Sequence, residues 1–542
     1  MKKIKLLIAS LAAISFCSCS DFLDSTPKGT MTEDKFFLSP DAGYSTVVKC
    51  YDMLGDAIGY EIPRMMLYNI ATDDSEKGGS DASDRPSAAD LSFGRPLASN
   101  ADLAALWEGM YKAIARCNLC LENIPNKPLV DADGYPIAAD VKARYIGEVK
   151  FLRAFYYFEL CKIFGGVPLV ERSLTVNDSK SLQRATEAET AEFIMNDLAD
   201  AALEENLPSR VSLPESEIGR VTREAVWAMQ ARVYMYFAKD DASYYEDARD
   251  AAKKVVESGC ELAPNFQSLF LEGNYLLSES ILPNIQGDDP TNNVYGSFVP
   301  VYSNPRGSVG AYGFDQPTQN LVDEFEEGDP RLLFTIVQPG DKFPGTVKDE
   351  VLDFSTYPNT GYHSRKAFLV ASRRGLGFGD DAWTFNIIRY ADVLLMYAEA
   401  LIQTNGDKQT IVKCINAVRQ RANDSRGEDA EAVSRVLTIP DKDLKMVTVN
   451  DDLLEAVKHE RRVELAMEYN RLYDLKRWNC YIETMNAFAN YPYAKGRGAA
   501  FKKGVNELFP IPQSEIDRSG GSIKQNPGSV SYTHLRAHET LS

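Results

Sequence analysis

Residues 139–164 constrain the fold more than any other part of the chain. Within them "YIGEVKFLRAFYYFELCKIFGG" is apolar on almost every side of a helix between Phe151 and Phe158, and Gly165 and Gly166 stop it. A helix without a polar face has to be enclosed by other helices. The sequence supplies them. Residues 101–124 place Leu103, Leu106, Trp107, Met110, Tyr111, Ile114, Cys117 and Leu121 at spacings of three and four, ahead of Pro125. Further helical patterns cover 187–205, 222–238, 243–258, 386–404, 408–423 and 451–474, and another signal starts near Thr32. Several form adjacent pairs. Ala228, Ala231, Tyr234, Tyr236, Ala251 and Ala252 are the small and aromatic residues that let two antiparallel helices pack closely, as in tetratricopeptide hairpins with a repeat of about 34 residues. The expected class is mainly α, a tetratricopeptide-like helical-hairpin scaffold.

Two stretches interrupt the scaffold. Residues 67–100 contain "DDSEKGGSDASDRPSAAD" and read as a long loop. Residues 262–385 lack helical periodicity, are rich in Gly, Pro, Asn and aromatic residues, and hold strand-like runs such as "SILPNI" and "AFLVAS". Long irregular segments on a rigid frame are where binding sites concentrate. A length of 542 residues alone suggests three or four domain-sized masses, but the patterning gives one scaffold with one large insert.

The chain begins with Lys2, Lys3 and Lys5, an apolar run from Ile4 to Phe16, and then Cys17, Ser18 and Cys19. The run is about half of the roughly 20 residues that span a bilayer, so it reads as a signal peptide over 1–18. Its end resembles a bacterial lipobox. Cys17 is the alternative acceptor, but Ser18 supplies the small residue just before Cys19, which is expected to carry the lipid, with 19–31 as a flexible tether. The net charge is −19, from 59 basic and 78 acidic residues. Such an acidic chain is repelled by phosphate backbones and anionic head groups, which excludes non-specific nucleic-acid binding and a polybasic membrane contact. Membrane attachment therefore falls to the lipid. Seven further cysteines at irregular spacing make no disulfide framework, and the Cys117/Cys120 pair lacks the second half of a zinc site, so they read as buried apolar thiols.

Enzyme chemistry finds little support. Apart from His534 and His538 near the C-terminus, only His363 and His459 are present, and HExxH, GxSxG and GxxxxGK[ST] are absent from the sequence. "RRGLGFGDD" at 373–381 neither follows a strand nor opens a helix, and "DADG" at 131–134 misplaces its Gly for an EF-hand loop. No cofactor or metal site is expected, although 78 acidic residues leave a glycosidase pair open. Arg389 and Asp392 are three apart within the apolar 387–403 segment, as if to meet on one helix face. With Glu399 they read as buried ion pairing rather than a catalytic acid. The alternating charges of Glu460, Arg461, Arg462, Glu464, Glu468, Asp474, Lys476 and Arg477 suit a salt-bridged scaffold helix.

Seven segments taken together resemble one family. They are "LWEGMYKAIARCNLCLENIP" (106–125), "EVKFLRAFYYFELCKIFGGVPLV" (148–170), "GRVTREAVWAMQARVYMYF" (219–237), "LVDEFEEGDPRL" (321–332), "IIRYADVLLMYAEALIQ" (387–403), "ERRVELAMEYNRLYDLKRW" (460–478) and "ELFPIPQSEIDRSGGSIKQNPG" (507–528). In this order, behind a lipobox, they are similar to the SusD/RagB outer-membrane lipoproteins of Bacteroidetes. The resemblance implies a SusD-like fold, with an N-terminal helical region over 32–261, the irregular insert over 262–385 and a C-terminal helical region over 386–528. It also implies a surface-exposed lipoprotein that captures oligosaccharides and serves as the lid of a SusC-like TonB-dependent transporter. A peptide-capturing RagB-type subunit is the alternative, and a surface glycan hydrolase a weaker one. Residues 529–542, "VSYTHLRAHETLS" included, resemble nothing in the family and are read as non-native.

Sugar rings present apolar faces ringed by hydroxyls, so their receptors need flat aromatics for stacking and polar side chains for the hydroxyls. Such residues cluster in two places: Asp73, Asp74, Phe93 and Arg95 in the first loop, and Tyr295, Phe298, Tyr302, Asn304, Arg306, Tyr312 and Phe314, with Trp383, in the insert. Asp73, Phe93, Arg95, Tyr295, Tyr302, Arg306, Tyr312 and Trp383 are the candidate ligand residues.

Overall fold

The computed structural model of the chain describes residues 32–203, 207–271, 273–287, 296–306, 311–338, 340–341, 360–369, 381–426 and 439–529. The fold is mainly helical. Its principal helices are α1 (Ala42–Tyr51), α2 (Ala101–Asn123), α3 (Ala139–Phe164), α4 (Glu187–Ala202), α5 (Arg223–Phe237), α6 (Tyr244–Val256), α7 (Tyr390–Gln403), α8 (Lys408–Asp424), α9 (Leu453–Glu464) and α10 (Arg471–Arg477). From α2 to α9 each helix packs against its successor, which is how hairpin repeats build one continuous core. Side chains cap the starts: Asn100 accepts from the N–H groups of Asp102 and Leu103, and Thr186 forms a capping box with Glu189. Gly165 ends α3 with φ of 73°, where a side chain would be strained. Every residue of α3 from Phe151 to Phe164 is buried, and Arg153 among them is held by Asp197 of α4 through contacts of 2.7 and 2.8 Å.

The strands are short: β1 (Ser75–Gly78), β2 (Ser280–Asn284), β3 (Phe314–Pro317), β4 (Ile336–Val337), β5 (His363–Ser364) and β6 (Phe385–Arg389). They form three antiparallel pairs, β1 with β3, β2 with β6 and β4 with β5. The β2–β6 pair ties the insert to the start of α7, and it corrects one expectation. Residues 385–389 are a strand, so the helix expected over 386–404 begins at Tyr390. A short, wholly buried apolar run fits strand and helix alike. "SILPNI" is β2, but Ala367–Leu369 of "AFLVAS" form no strand and 370–372 lie outside the described residues. The expected 67–100 loop contains β1 and a short helix, Pro86–Ser92.

The helix expected over 451–474 is broken. α9 ends at Glu464, Met467 and Tyr469 take positive φ of 62° and 64°, and α10 starts at Arg471. Buried cations hold the break, because the Glu464 carbonyl accepts from Arg389 Nη2 at 2.8 Å and from Lys366 Nζ at 3.0 Å. These bonds belong to an ionic core. Arg389 donates to Glu279 (2.8 Å), Glu464 (2.6 Å) and Glu468 (2.8 Å), and Arg331 donates to Glu460 (2.5 Å) and Glu464 (3.0 Å). Arg389 and Asp392 do not meet, since Arg389 is extended; Asp392 instead binds Arg232 (2.5 Å) and Arg461 (2.8 Å), and Glu399 binds Arg477 twice at 2.6 Å. Buried charges persist only in such paired arrangements. Six of the seven cysteines beyond the leader are buried, and Cys50 Sγ lies 3.5 Å from Cys120 Sγ.

Candidate functional site

β1 and β3 join the two loops singled out from the sequence. Ser75 faces Pro317 and Gly78 faces Phe314, and Gly79 N donates to the Gly313 carbonyl at 2.9 Å. Gly78 has φ of 71°, and a Cβ there would sit 2.1 Å from the Gly313 oxygen, so the close approach requires glycine. Residues 79–85 are thereby set beside 302–306 and 311–314. Asp84 accepts from Arg306 Nη2 at 2.7 Å and from the Ser80 N–H and hydroxyl at 2.9 and 3.0 Å, while Arg306 Nε donates to the Tyr312 carbonyl at 3.1 Å. Lys77 Nζ ties the loop from below through the carbonyls of Asp81 (2.9 Å) and Asp84 (2.5 Å).

Three rings pack beside this charged clamp. Tyr302 lies 5.2 Å from Tyr312 edge-on and 5.6 Å from Phe314 in a stack, and the Arg85 guanidinium is 5.6 Å from the Tyr302 ring. Phe314 is buried, and Tyr302 and Tyr312 are half-buried. The side chains of Asp84 and Arg306 keep 27% and 25% of their surface exposed, enough to reach a ligand while each fixes the other. Half-exposed rings flanked by a held carboxylate and guanidinium suit a ligand with apolar faces and polar edges.

The remaining sequence-predicted residues lie elsewhere. Asp73 is buried beneath the loop, where Arg471 (2.9 and 2.8 Å) and Arg462 (2.9 Å) bind both its oxygens. Burial opposes its ionisation, but the two guanidiniums outweigh it and hold the carboxyl below the usual range. Trp383 is buried and donates to the Lys366 carbonyl at 3.2 Å. Neither side chain is open to a ligand. Phe93 and Arg95 follow the short helix Pro86–Ser92; Arg95, 5.5 Å from the Phe93 ring, lines a separate groove of about 340 Å³ with Lys502, Asn506 and Leu508. Cys19 and Tyr295 lie outside the described residues. Asn304 is buried, and half-buried Phe298 borders a cleft of about 1020 Å³ that also contains Tyr44, Arg116 and Arg220. Sequence reasoning missed Lys77, Ser80, Asp84 and Arg85. Their signal was the alternation of charge inside the Gly/Ser-rich stretch, which also fits a merely solvated loop.

The buried side of the loop continues into a chain of ion pairs. Arg462 binds Asp74 (2.8 Å) and Glu324 (2.7 Å), and His459 lies between Glu324 (2.8 Å) and Glu326 (3.2 Å), with Glu460 adding to the negative field. Burial alone would lower the His459 pKa, but the carboxylates outweigh it and raise it to about 9 from 6.5. A raised histidine pKa contributes stability that is complete below about 6.5 and lost as pH climbs through about 9. Wild-type protein is therefore expected to lose up to about 3 kcal/mol across that window. Denaturation midpoints of His459→Gln measured across it should be flat, and a variant that retained the wild-type slope would remove His459 from this role.

Among the described residues no helix is long and apolar enough to cross a membrane, and no group of His, Cys, Asp and Glu is placed to hold a metal ion. Comparison with known proteins bears on the family and the fold. The SusD family model matches residues 224–528, and a second model, described as "Starch-binding associating with outer membrane", matches 81–235. SusD-like protein P38 of Formosa agariphila is 26% identical over 524 residues, which cover 90% of this chain and 94% of that one. Among solved structures, a laminarin-binding SusD-like protein is similar at 26% identity with a TM-score of 0.71, covering 90% of this chain and 98% of the other. Surface glycan-binding protein A from Bacteroides fluxus is similar at 25% identity with a TM-score of 0.73, covering 90% and 99%.

Proposed function

The chain belongs to the SusD family, and from that premise we propose that it is a glycan receptor whose binding surface is the junction of residues 79–85 with 302–306 and 311–314. The observation that carries this reading is the convergence of two stretches more than 200 residues apart on one half-exposed surface, where Tyr302 and Tyr312 stand beside the Asp84–Arg306 clamp. The tyrosine rings take the apolar faces of pyranose units, and Asp84 and Arg306 bond the hydroxyls. No bond in the glycan is broken. Binding holds the chain at the surface until an outer-membrane transporter of the SusC-like, TonB-dependent class accepts it, with the receptor acting as lid. A lipid on Cys19 keeps the receptor at the outer membrane without a spanning helix. The names of its relatives make β-glucans such as laminarin, and starch, the first ligands to try.

Affinity electrophoresis tests this reading. The purified protein should be slowed in a native gel containing one of a panel of neutral polysaccharides, and the same polysaccharide should show no new reducing ends after incubation. Release of reducing sugar would replace the receptor by a hydrolase. Unretarded migration in every gel, together with peptides recovered from the purified protein, would replace the glycan by a peptide.

A further inference from the structure

Three of the cysteines beyond the leader meet in the core. Cys50 lies in the last turn of α1, Cys117 and Cys120 lie three residues apart on one face of α2, and all three are fully buried. Cys50 Sγ is 3.5 Å from Cys120 Sγ, sulfur against sulfur. The Cys117 and Cys120 thiols both donate to the Cys50 sulfur and lower its pKa. The thiolate is the nucleophile in disulfide exchange, so Cys50 is the most readily activated of the three.

The contact is set by packing around it. Arg116 Nη1 donates to the Lys49 carbonyl at 3.1 Å and pairs with Asp52 at 3.6 Å, which fixes the end of α1 against α2. The Tyr156 hydroxyl of α3 donates to the Cys50 carbonyl at 2.5 Å. A lone thiol in such a place is a small apolar filler. Two facing sulfurs from segments 70 residues apart can also form a bond. They need to close from 3.5 Å to about 2 Å, through rotation about the Cα–Cβ bonds. Disulfides persist outside the reducing cytosol, and the proposed function requires export.

We propose that Cys50 and Cys120 form a disulfide in the exported protein and that this cross-link fastens α1 to α2. The inference rests on the export in the proposed function and not on the ligand. The bond forms by exchange with an oxidised dithiol protein of the export compartment while the chain folds, before the core closes over the sulfurs. The Cys50 thiolate attacks that protein's disulfide, and Cys120 then attacks Cys50 in the mixed disulfide. The two cysteines give up two protons and two electrons, and the oxidant leaves as its dithiol. Because α1 is the first long helix after the expected tether, the bond ties the anchored end of the chain to the scaffold.

The full chain, expressed with its leader in a bacterium that has an outer membrane, tests the bond. The protein is alkylated with iodoacetamide in denaturant before any reduction, and its peptides are mapped by mass. A processed N-terminus reports export. In the processed protein the peptides carrying Cys50 and Cys120 are expected as a joined pair, alkylated at these residues only after reduction. Processed protein with both residues alkylated at the outset, or with Cys50 joined to Cys117, overturns the proposal and leaves export standing. An unprocessed N-terminus overturns export and the proposal together. Reduction of the purified wild type should lower its folding constant about 100-fold, the effect of opening a native disulfide, read from urea unfolding. Cys50→Ala, which leaves an apolar side chain in the core, is expected to start from the lower stability and to ignore the reductant. A wild-type midpoint that is the same with and without reductant also overturns the proposal. If Cys50→Ala does not fold, the wild-type comparison and the peptide map decide.

Discussion

Glu464→Gln is expected to remove about 3–5 kcal/mol of stability, the cost of leaving buried charges without their partner. Glu464 is fully buried and holds three guanidiniums: Arg389 at 2.6 Å, Arg331 at 3.0 Å, and Arg421. Gln has nearly the same shape, so the change deletes a charge without opening a cavity. Arg331 and Arg389 come from the insert and its closing strand, Arg421 from α8 and Glu464 from the end of α9, so one carboxylate joins four parts of the chain. Burial opposes ionisation of Glu464, but Arg421, Arg389 and Arg331 outweigh it and hold its pKa well below 4.5. The sign follows: the stability it contributes is present above the unfolded value of 4.5 and lost as pH falls toward the lower folded value. Urea unfolding at pH 7 should give a lower midpoint for the variant, and the gap should narrow as pH falls below 4.5. A variant within 1 kcal/mol of wild type at pH 7 would mean that the neighbouring acids, Glu279, Glu460 and Glu468, compensate without Glu464.

Changing Tyr302 and Tyr312 together to Ala is expected to weaken glycan binding by about two orders of magnitude. Each stacked ring contributes about 1.5 kcal/mol, and about 3 kcal/mol corresponds to a factor of over 100 in the dissociation constant. Both rings are half-buried and pack beside Phe314, so the unfolding curve of the double variant is the control that its fold is retained. Trp383→Ala is the contrasting change. Trp383 is 7% exposed and packs on Phe385 at 5.8 Å, so its loss should cost about 3–5 kcal/mol of stability while the folded variant still binds. Titration calorimetry on both variants, with unfolding curves beside it, separates the two roles. If Trp383→Ala abolished binding in a protein of unchanged stability, the assignments would have to be exchanged.

The scaffold was legible wherever local chemistry decides. α3 runs from Ala139 to Phe164 as the pattern indicates, because Gly165 ends it and its apolar circumference requires burial. Legibility stopped where distant residues decide. Nothing local to 451–474 announces the break after Glu464, since Arg389 and Lys366 cap that carbonyl from far along the chain. The 385–389 run became a strand because β2 was available to pair with it. At the candidate site, the sequence marks the two loops by composition but not which side chains face outward. Asp73 and Trp383 carry the right chemistry and are buried, because Arg462, Arg471 and the Lys366 carbonyl claim them. Asp84 and Arg85 looked like solvated charges until the β1–β3 pairing set them against Arg306 and Tyr302.

The most direct test of the receptor surface is a crystal structure of the protein soaked with an oligosaccharide that it retains in a gel, with laminarihexaose the first choice. The account predicts sugar rings stacked on Tyr302 and Tyr312, with hydroxyls within hydrogen-bond distance of Asp84 and Arg306. Sugar density confined to the cleft beside Tyr44, or to the groove at Arg95, with the Tyr302–Tyr312 surface bare, would contradict it.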